Sequence, residues 1–162
     1  MRNSNAERVI LDCNSELEKI EHLISAIGAT NPIANYLTKY SIIRICGTLE
    51  VCYKTIIADF YEERAPLMST FLLNKVRNAT MNPNYQNICT TLKSFDDDLA
   101  DNFKENVHSI DNHDEIISAF DTLNKTRNEV AHGISSTVSF SDAKRMFNCS
   151  LQIINVLDCL MV

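Results

Sequence analysis

Residues 32–63, PIANYLTKYSIIRICGTLEVCYKTIIADFYEE, form the longest helical pattern in the chain and set the architecture expected around it. Pro32, directly after Asn31, opens a helix near its first turn, where a missing N–H is harmless. Leu37, Tyr40, Ile43, Ile45, Leu49, Cys52, Ile56, Ile57 and Phe60 then recur at helical steps and make a wide apolar face. A helix apolar over so much of its girth belongs at the centre of a bundle. Gly47 lies inside it. An isolated helical glycine costs roughly 1 kcal/mol against alanine, so close helix packing is the expected reason for its presence.

On the N-terminal side, residues 5–28 read as an amphipathic helix. Val9, Cys13, Leu17, Ile20, Leu23, Ile24 and Ile27 lie opposite Glu7, Glu16, Glu18 and Lys19. Asn3, Ser4 or Asn5 can cap its start, and Gly28 fits the position just past its end. On the C-terminal side, Pro66 starts a short helix over about 67–79, and Asn82-Pro83-Asn84 is a turn. A further helix is expected over 84–105, with Ile88, Leu92, Phe95, Leu99 and Phe103 on one face. Its Asp96, Asp97, Asp98 and Asp101 read as a solvated face, because adjacent helical residues diverge by about 100° and do not converge on one ion. Asp111-Asn112-His113-Asp114 restarts a helix with good caps, Gly133 stops it, and Ser139 or Ser141 caps the last one. The pattern predicts a single all-α domain over 1–162, a bundle of four main helices plus one short helix.

With 3 Gly, 3 Pro and no Trp in 162 residues, the chain lacks the turn residues that an all-β fold consumes. A hydrophobic fraction of 45 % supports a folded core. The net charge of −6 argues against non-specific coating of nucleic acid, which needs excess Lys and Arg, but allows a local basic site. The opening MRNSNAERVILDCNSELEK has no apolar run of signal-peptide length, and Leu151–Val162 is interrupted by Gln152, Asn155 and Asp158. A soluble cytoplasmic protein with no membrane partner is expected. Cys13, Cys46, Cys52, Cys89, Cys149 and Cys159 form no C-x-x-C pair and read as buried, reduced thiols acting as small hydrophobes.

Chemistry concentrates in Leu123-Asn124-Lys125-Thr126-Arg127-Asn128-Glu129-Val130-Ala131-His132-Gly133. Asn128 and His132 are four apart and share a helix face. Arg127 is displaced by about 100° from Asn128, but its long side chain can bend towards the same cleft. His132 falls in the last turn, where the helix dipole favours the imidazolium form. A histidine near neutrality gives and takes protons, and an arginine grips phosphate oxygens with two prongs. Together they suit acid–base chemistry on a phosphodiester. The plain alternative is that both residues dress a helix end. Glu50 is a candidate supporting partner for Arg127, or else simply exposed. Lys125, Arg44, Lys144 and Arg145 are candidates for an RNA path, or else ordinary surface charges. His22 reads as surface decoration. His108 and His113, with Asp111 and Asp114, read as a solvated loop or a weak metal site. No metal site and no cofactor is expected.

Arg127, Asn128 and His132 match the R-x4-6-H hallmark, with a polar residue after the arginine, at the end of an amphipathic helix followed by a capped final helix. With Arg44–Lys54 on a long central helix, the chain resembles the HEPN superfamily, the "higher eukaryotes and prokaryotes nucleotide-binding" domain, and within it the RiboL-PSP-HEPN-like branch. The resemblance implies a HEPN-like helical bundle. It also implies a metal-independent endoribonuclease that acts as a toxin, phage-defence effector or RNA-processing factor, usually dimerised so that two hallmark segments face one another. Carried over, Arg127 and His132 are catalytic and Asn128 orients them, RNA is the substrate, and an antitoxin or companion defence protein is a further partner. No tyrosine follows His132 at the spacing of the toxins paired with minimal nucleotidyltransferases; this chain has Gly133-Ile134-Ser135 there, so the resemblance does not extend to that regulation. Two other readings stand beside the enzyme: a non-catalytic HEPN module binding nucleotide, RNA or a protein, and a plain helical interaction domain.

Overall fold

Helix α1 (Ser4–Ile27) begins where the Asn3 side chain accepts the Ala6 N–H at 2.9 Å, and it ends at Gly28, whose φ of +88° only glycine adopts readily. The computed structural model describes residues 1–79, 82–134 and 136–161, and all of its regular elements are helical. Central helix α2 (Pro32–Arg64) is capped by the Asn31 side chain. It packs against α1, against α6 (His113–Ala131) and α7 (Phe140–Leu160), and against the segment that follows it. Ile42, Ile45, Leu49, Cys52, Tyr53, Ile56 and Ile57 are fully or almost fully buried along it, which is what its apolar girth requires. Two sulfur contacts tie it to its neighbours. Cys46 Sγ donates to the Leu123 carbonyl of α6 at 3.5 Å, and Cys52 Sγ to the Ala6 carbonyl of α1 at 3.6 Å.

Pro66 ends α2 as expected. The next stretch is a 3-10 turn over Pro66–Met68, a single α turn, α3 (Ser69–Leu72), and a π-helical turn over Leu73–Arg77. Leu72 and Val76 anchor it in the core, and Arg77 clamps it to α2 through Asp59 at 2.6 Å and Glu62 at 2.9 Å. The one helix expected over 84–105 is two: α4 (Tyr85–Lys93) and α5 (Asp97–His108). The chain breaks there because the Asp96 side chain accepts the N–H groups of Asp98 and Leu99 at 2.7 and 3.1 Å. It acts as an N-cap rather than as part of a solvated helix face. Among the described residues the bundle has six substantial helices rather than the four main ones expected, plus the short α3; the split supplies one, and the five long segments of the sequence pattern already exceed four.

The good caps expected at 111–114 are not made: helix α6 starts at Asn112 without a side-chain cap, whereas α7 starts with a reciprocal pair between Ser139 and Asp142. Near the end of α7, Asp158 is buried and its carboxylate accepts the backbone N–H of Arg2 at 2.5 Å and of Asn3 at 2.9 Å. Four residues expected on buried faces are exposed instead: Leu23 and Ile27 on α1, and Tyr40 and Ile43 on α2. Gly47 also departs from expectation. A Cβ built on it meets nothing within 4 Å, so no helix of the protomer packs against it. Among the described residues, no helix is long and apolar enough to cross a membrane.

Candidate functional site

The C-terminal half of α6 turns Asn124, Arg127, Asn128 and Ala131 to one side, at the three- and four-residue steps of a single helix face. Asn124 is buried. Its amide donates to the Phe120 carbonyl at 3.0 Å and to the carbonyl of Pro83. Arg127 is half-buried, and its Nη1 donates to Asn82 Oδ1 at 2.9 Å and to Asn128 Oδ1 at 3.0 Å. Two side chains of α6 thus hold the turn at Asn82-Pro83. From the other side, Asn87 Nδ2 donates to the Asn82 carbonyl at 2.8 Å, and Asn84 caps α4. The Asn82 amide oxygen that meets Arg127 is positioned from both directions.

Two neutral amide oxygens therefore orient the Arg127 guanidinium, and among the described residues no carboxylate pairs with it. Other buried or half-buried cations differ. Arg44 pairs with Glu16 at 2.7 Å, Arg77 with Asp59 and Glu62, and Lys54 with Glu50 at 2.5 Å. The charge of Arg127 is felt on α2. Burial pushes the Cys46 thiol up to about 12, Arg127 opposes that rise and Glu50 adds to it. Arg127 and Glu50 thus flank the same residue of α2, yet Glu50 spends its carboxylate on Lys54, so the supporting role considered for it is not a direct contact.

His132 sits one turn beyond Asn128, at the C-cap of α6, with an exposed ring that makes no hydrogen bond or ion pair among the described residues. The turn that presents it is a Schellman motif. The Gly133 N–H donates to the Val130 carbonyl at 3.1 Å and the Ile134 N–H to the Glu129 carbonyl at 2.8 Å, with Gly133 at φ +75°. A Cβ at Gly133 meets nothing within 4 Å, so Gly133→Ala suffers backbone strain alone, about 1–2 kcal/mol. The expected result is a melting temperature lowered by several degrees. An unchanged melt would show that this turn does not hold the helix end. Ser135 lies outside the described residues.

The remaining sequence candidates disperse. Lys125 is exposed and, two residues from Arg127, lies on the far side of α6, by a shallow depression shared with Asp114 and Asp121. Lys144 is paired with Glu21 at 2.6 Å and Arg145 with Glu115 at 3.0 Å, so with Arg44 three of the four candidates for an RNA path are already neutralised. His22 is exposed. His108 and His113 lie with ring centroids 5.1 Å apart, and His113 Nδ1 meets the Ile110 carbonyl at 3.1 Å. Among the described residues, no group of three or more His, Cys, Asp or Glu side chains is arranged to hold a metal ion.

Asn82 and Asn124 escaped the sequence reading. Asn124 was visible as one more amide in the motif stretch, one turn before Asn128. Nothing local to Asn82 marked it as more than a turn residue.

A family model described as RiboL-PSP-HEPN matches residues 9–162, nearly the whole chain. No curated protein and no solved structure gives a match.

Proposed function

The chain belongs to the RiboL-PSP-HEPN family, and from that membership and the state of Arg127 we propose that it is a dimeric, metal-independent endoribonuclease, a toxin or phage-defence effector whose activity a companion protein restrains or triggers. The observation that carries the reading is a half-buried guanidinium, oriented by two amides and, among the described residues, left without a counter-charge, one turn before an exposed histidine. An unpaired, oriented cation is ready to meet a phosphate.

RNA supplies its own nucleophile, the ribose 2′-OH. His132 takes its proton as the P–O2′ bond forms, and Arg127 offsets the charge of the phosphorane. The P–O5′ bond then breaks, with a second His132 protonating the leaving 5′-oxygen. The products are a 2′,3′-cyclic phosphate and a 5′-OH. Asn128 keeps Arg127 in place through the 3.0 Å hydrogen bond between them.

The experiment is cleavage of RNA by the purified chain in excess EDTA, with the product ends identified. Undiminished cleavage leaving cyclic phosphates is expected. Activity that vanishes with EDTA and returns with magnesium overturns the mechanism.

A second reading, a non-catalytic module that binds a nucleotide or a protein, is favoured by one observation. Arg44, Lys144 and Arg145 are ion-paired, which leaves little basic surface for a long RNA. Binding of RNA or nucleotide without any cleavage would select it.

A further inference from the structure

Among the described residues, helix α2 carries on its solvent side a row left about half open or more, tied to the rest of the protomer at Tyr40, whose hydroxyl donates to Glu16 of α1. Ile33, Tyr36, Tyr40, Ile43, Gly47 and Val51 follow one another at steps of three and four residues, so they make one continuous stripe. The five with side chains are between 45 and 69 % exposed. Exposed apolar residues scattered singly need no explanation, but a contiguous row of them marks a contact surface. Gly47, at its middle, is a second and independent observation. Glycine inside a helix weakens it, and no contact within the protomer accounts for this one. A second backbone crossing at this point does account for it, because the missing side chain allows close approach.

We propose that a second copy of this chain covers the stripe, with α2 packed antiparallel on α2 of the partner subunit and the two-fold axis at Gly47. The proposal rests on the dimeric reading above and names the surface that reading needs. Antiparallel packing about Gly47 sets residues equidistant from it opposite one another, and the stripe is self-complementary in that register. Ile43 and Val51, four residues to either side, meet apolar to apolar. Arg44 and Glu50, three residues to either side, meet with opposite charge. They extend the Glu16–Arg44 and Lys54–Glu50 pairs of each protomer into a network across the axis. Tyr40 faces the part of the partner subunit that holds a depression of about 200 Å³, lined by Glu50, Val51, Lys54, Thr55 and Arg77.

The five exposed side chains offer roughly 600 Å² per protomer, most of the roughly 800 Å² that each partner gives to a stable interface of ordinary size. The axis also falls beside the candidate site. Cys46, next to Gly47, touches the Leu123 carbonyl of α6, one turn before Arg127, so the two Arg127 side chains approach the same axis.

Sedimentation equilibrium without RNA tests this. The wild-type chain is expected at twice 18.3 kDa at micromolar concentration. Ile43→Lys and Val51→Glu, at exposed positions outside the proposed catalytic machinery, are each expected to raise the dimer dissociation constant at least about tenfold. The two substitutions combined in one chain are expected to restore the dimer, because the introduced charges face one another across the axis. Within one helix they are about 12 Å apart and do not pair. Gly47→Leu is expected to separate the helices and weaken the dimer as well. A wild-type mass of 18.3 kDa at about 100 µM overturns the proposal and leaves the stripe to a different protein. So do single variants that dimerise like wild type, or a double variant no stronger than the singles. A dimer of this kind that cleaves no RNA defeats the ribonuclease reading alone. Cleavage by a dimer indifferent to Ile43→Lys defeats the interface alone.

Discussion

Replacing His132 with alanine is expected to lower the rate of RNA cleavage by about 10²–10⁴-fold, the usual loss when a general acid or base is removed. The expected effect is large because the proposed mechanism makes His132 the proton carrier, and in the proposed dimer the substitution removes it from both halves of the site at once. Folding is expected to survive. The ring is exposed and makes no hydrogen bond or ion pair among the described residues, and the C-cap needs only the backbone of residue 132. Helicity, melting temperature and sedimentation mass should therefore match wild type while cleavage disappears. In cells, any growth arrest caused by the wild-type chain should disappear with it. A His132→Ala protein that retains full cleavage would remove the catalytic reading and leave the binding module in its place.

Arg127→Ala is expected to cost about 10²–10³-fold in kcat, the scale seen when an oriented donor to a developing oxyanion is deleted. The geometry adds a second consequence. Arg127 Nη1 grips both Asn82 and Asn128, so its removal also frees the turn at Asn82-Pro83 on the side facing α6. Asn124 still holds Pro83, so the fold is expected to persist with a modestly lower melting temperature. Arg127→Lys separates charge from geometry. A lysine keeps the cation, but its point-like ammonium cannot hold two amides and a phosphate in one plane. It is expected to recover less than about a tenth of the lost rate. Full rescue by lysine, or a change in KM with kcat intact, would show that Arg127 only attracts RNA and does not act on the phosphorane.

Much of the architecture could be read from neighbours in the chain. Apolar spacing over residues 32–63 identified the central helix. Asn3, Ser4 or Asn5, then Gly28, Pro32, and Ser139 or Ser141 marked helix ends to within a residue or two, because capping is chemistry within a few residues, and the structure uses Asn3, Asn31 and Ser139 as the caps. Gly133 marked the end of α6 for the same reason, and with it the position of His132. Only the folded chain decided the rest. Asp96 reads equally well as a helix surface or as a cap, and the choice fell to two backbone N–H groups that need an acceptor once α5 turns away from α4. Asn82 meets Arg127 across 45 residues of chain, a contact that no local pattern announces. The ion pairs that neutralise Arg44, Lys144 and Arg145 join different helices and appear only when those helices pack. Periodicity placed Tyr40, Ile43 and Gly47 on an apolar helix but could not say which side of it is covered. Packing of α1, α6, α7 and the Pro66–Arg77 segment against the other sides left that stripe open, because a helix apolar around most of its girth has more faces than these neighbours bury.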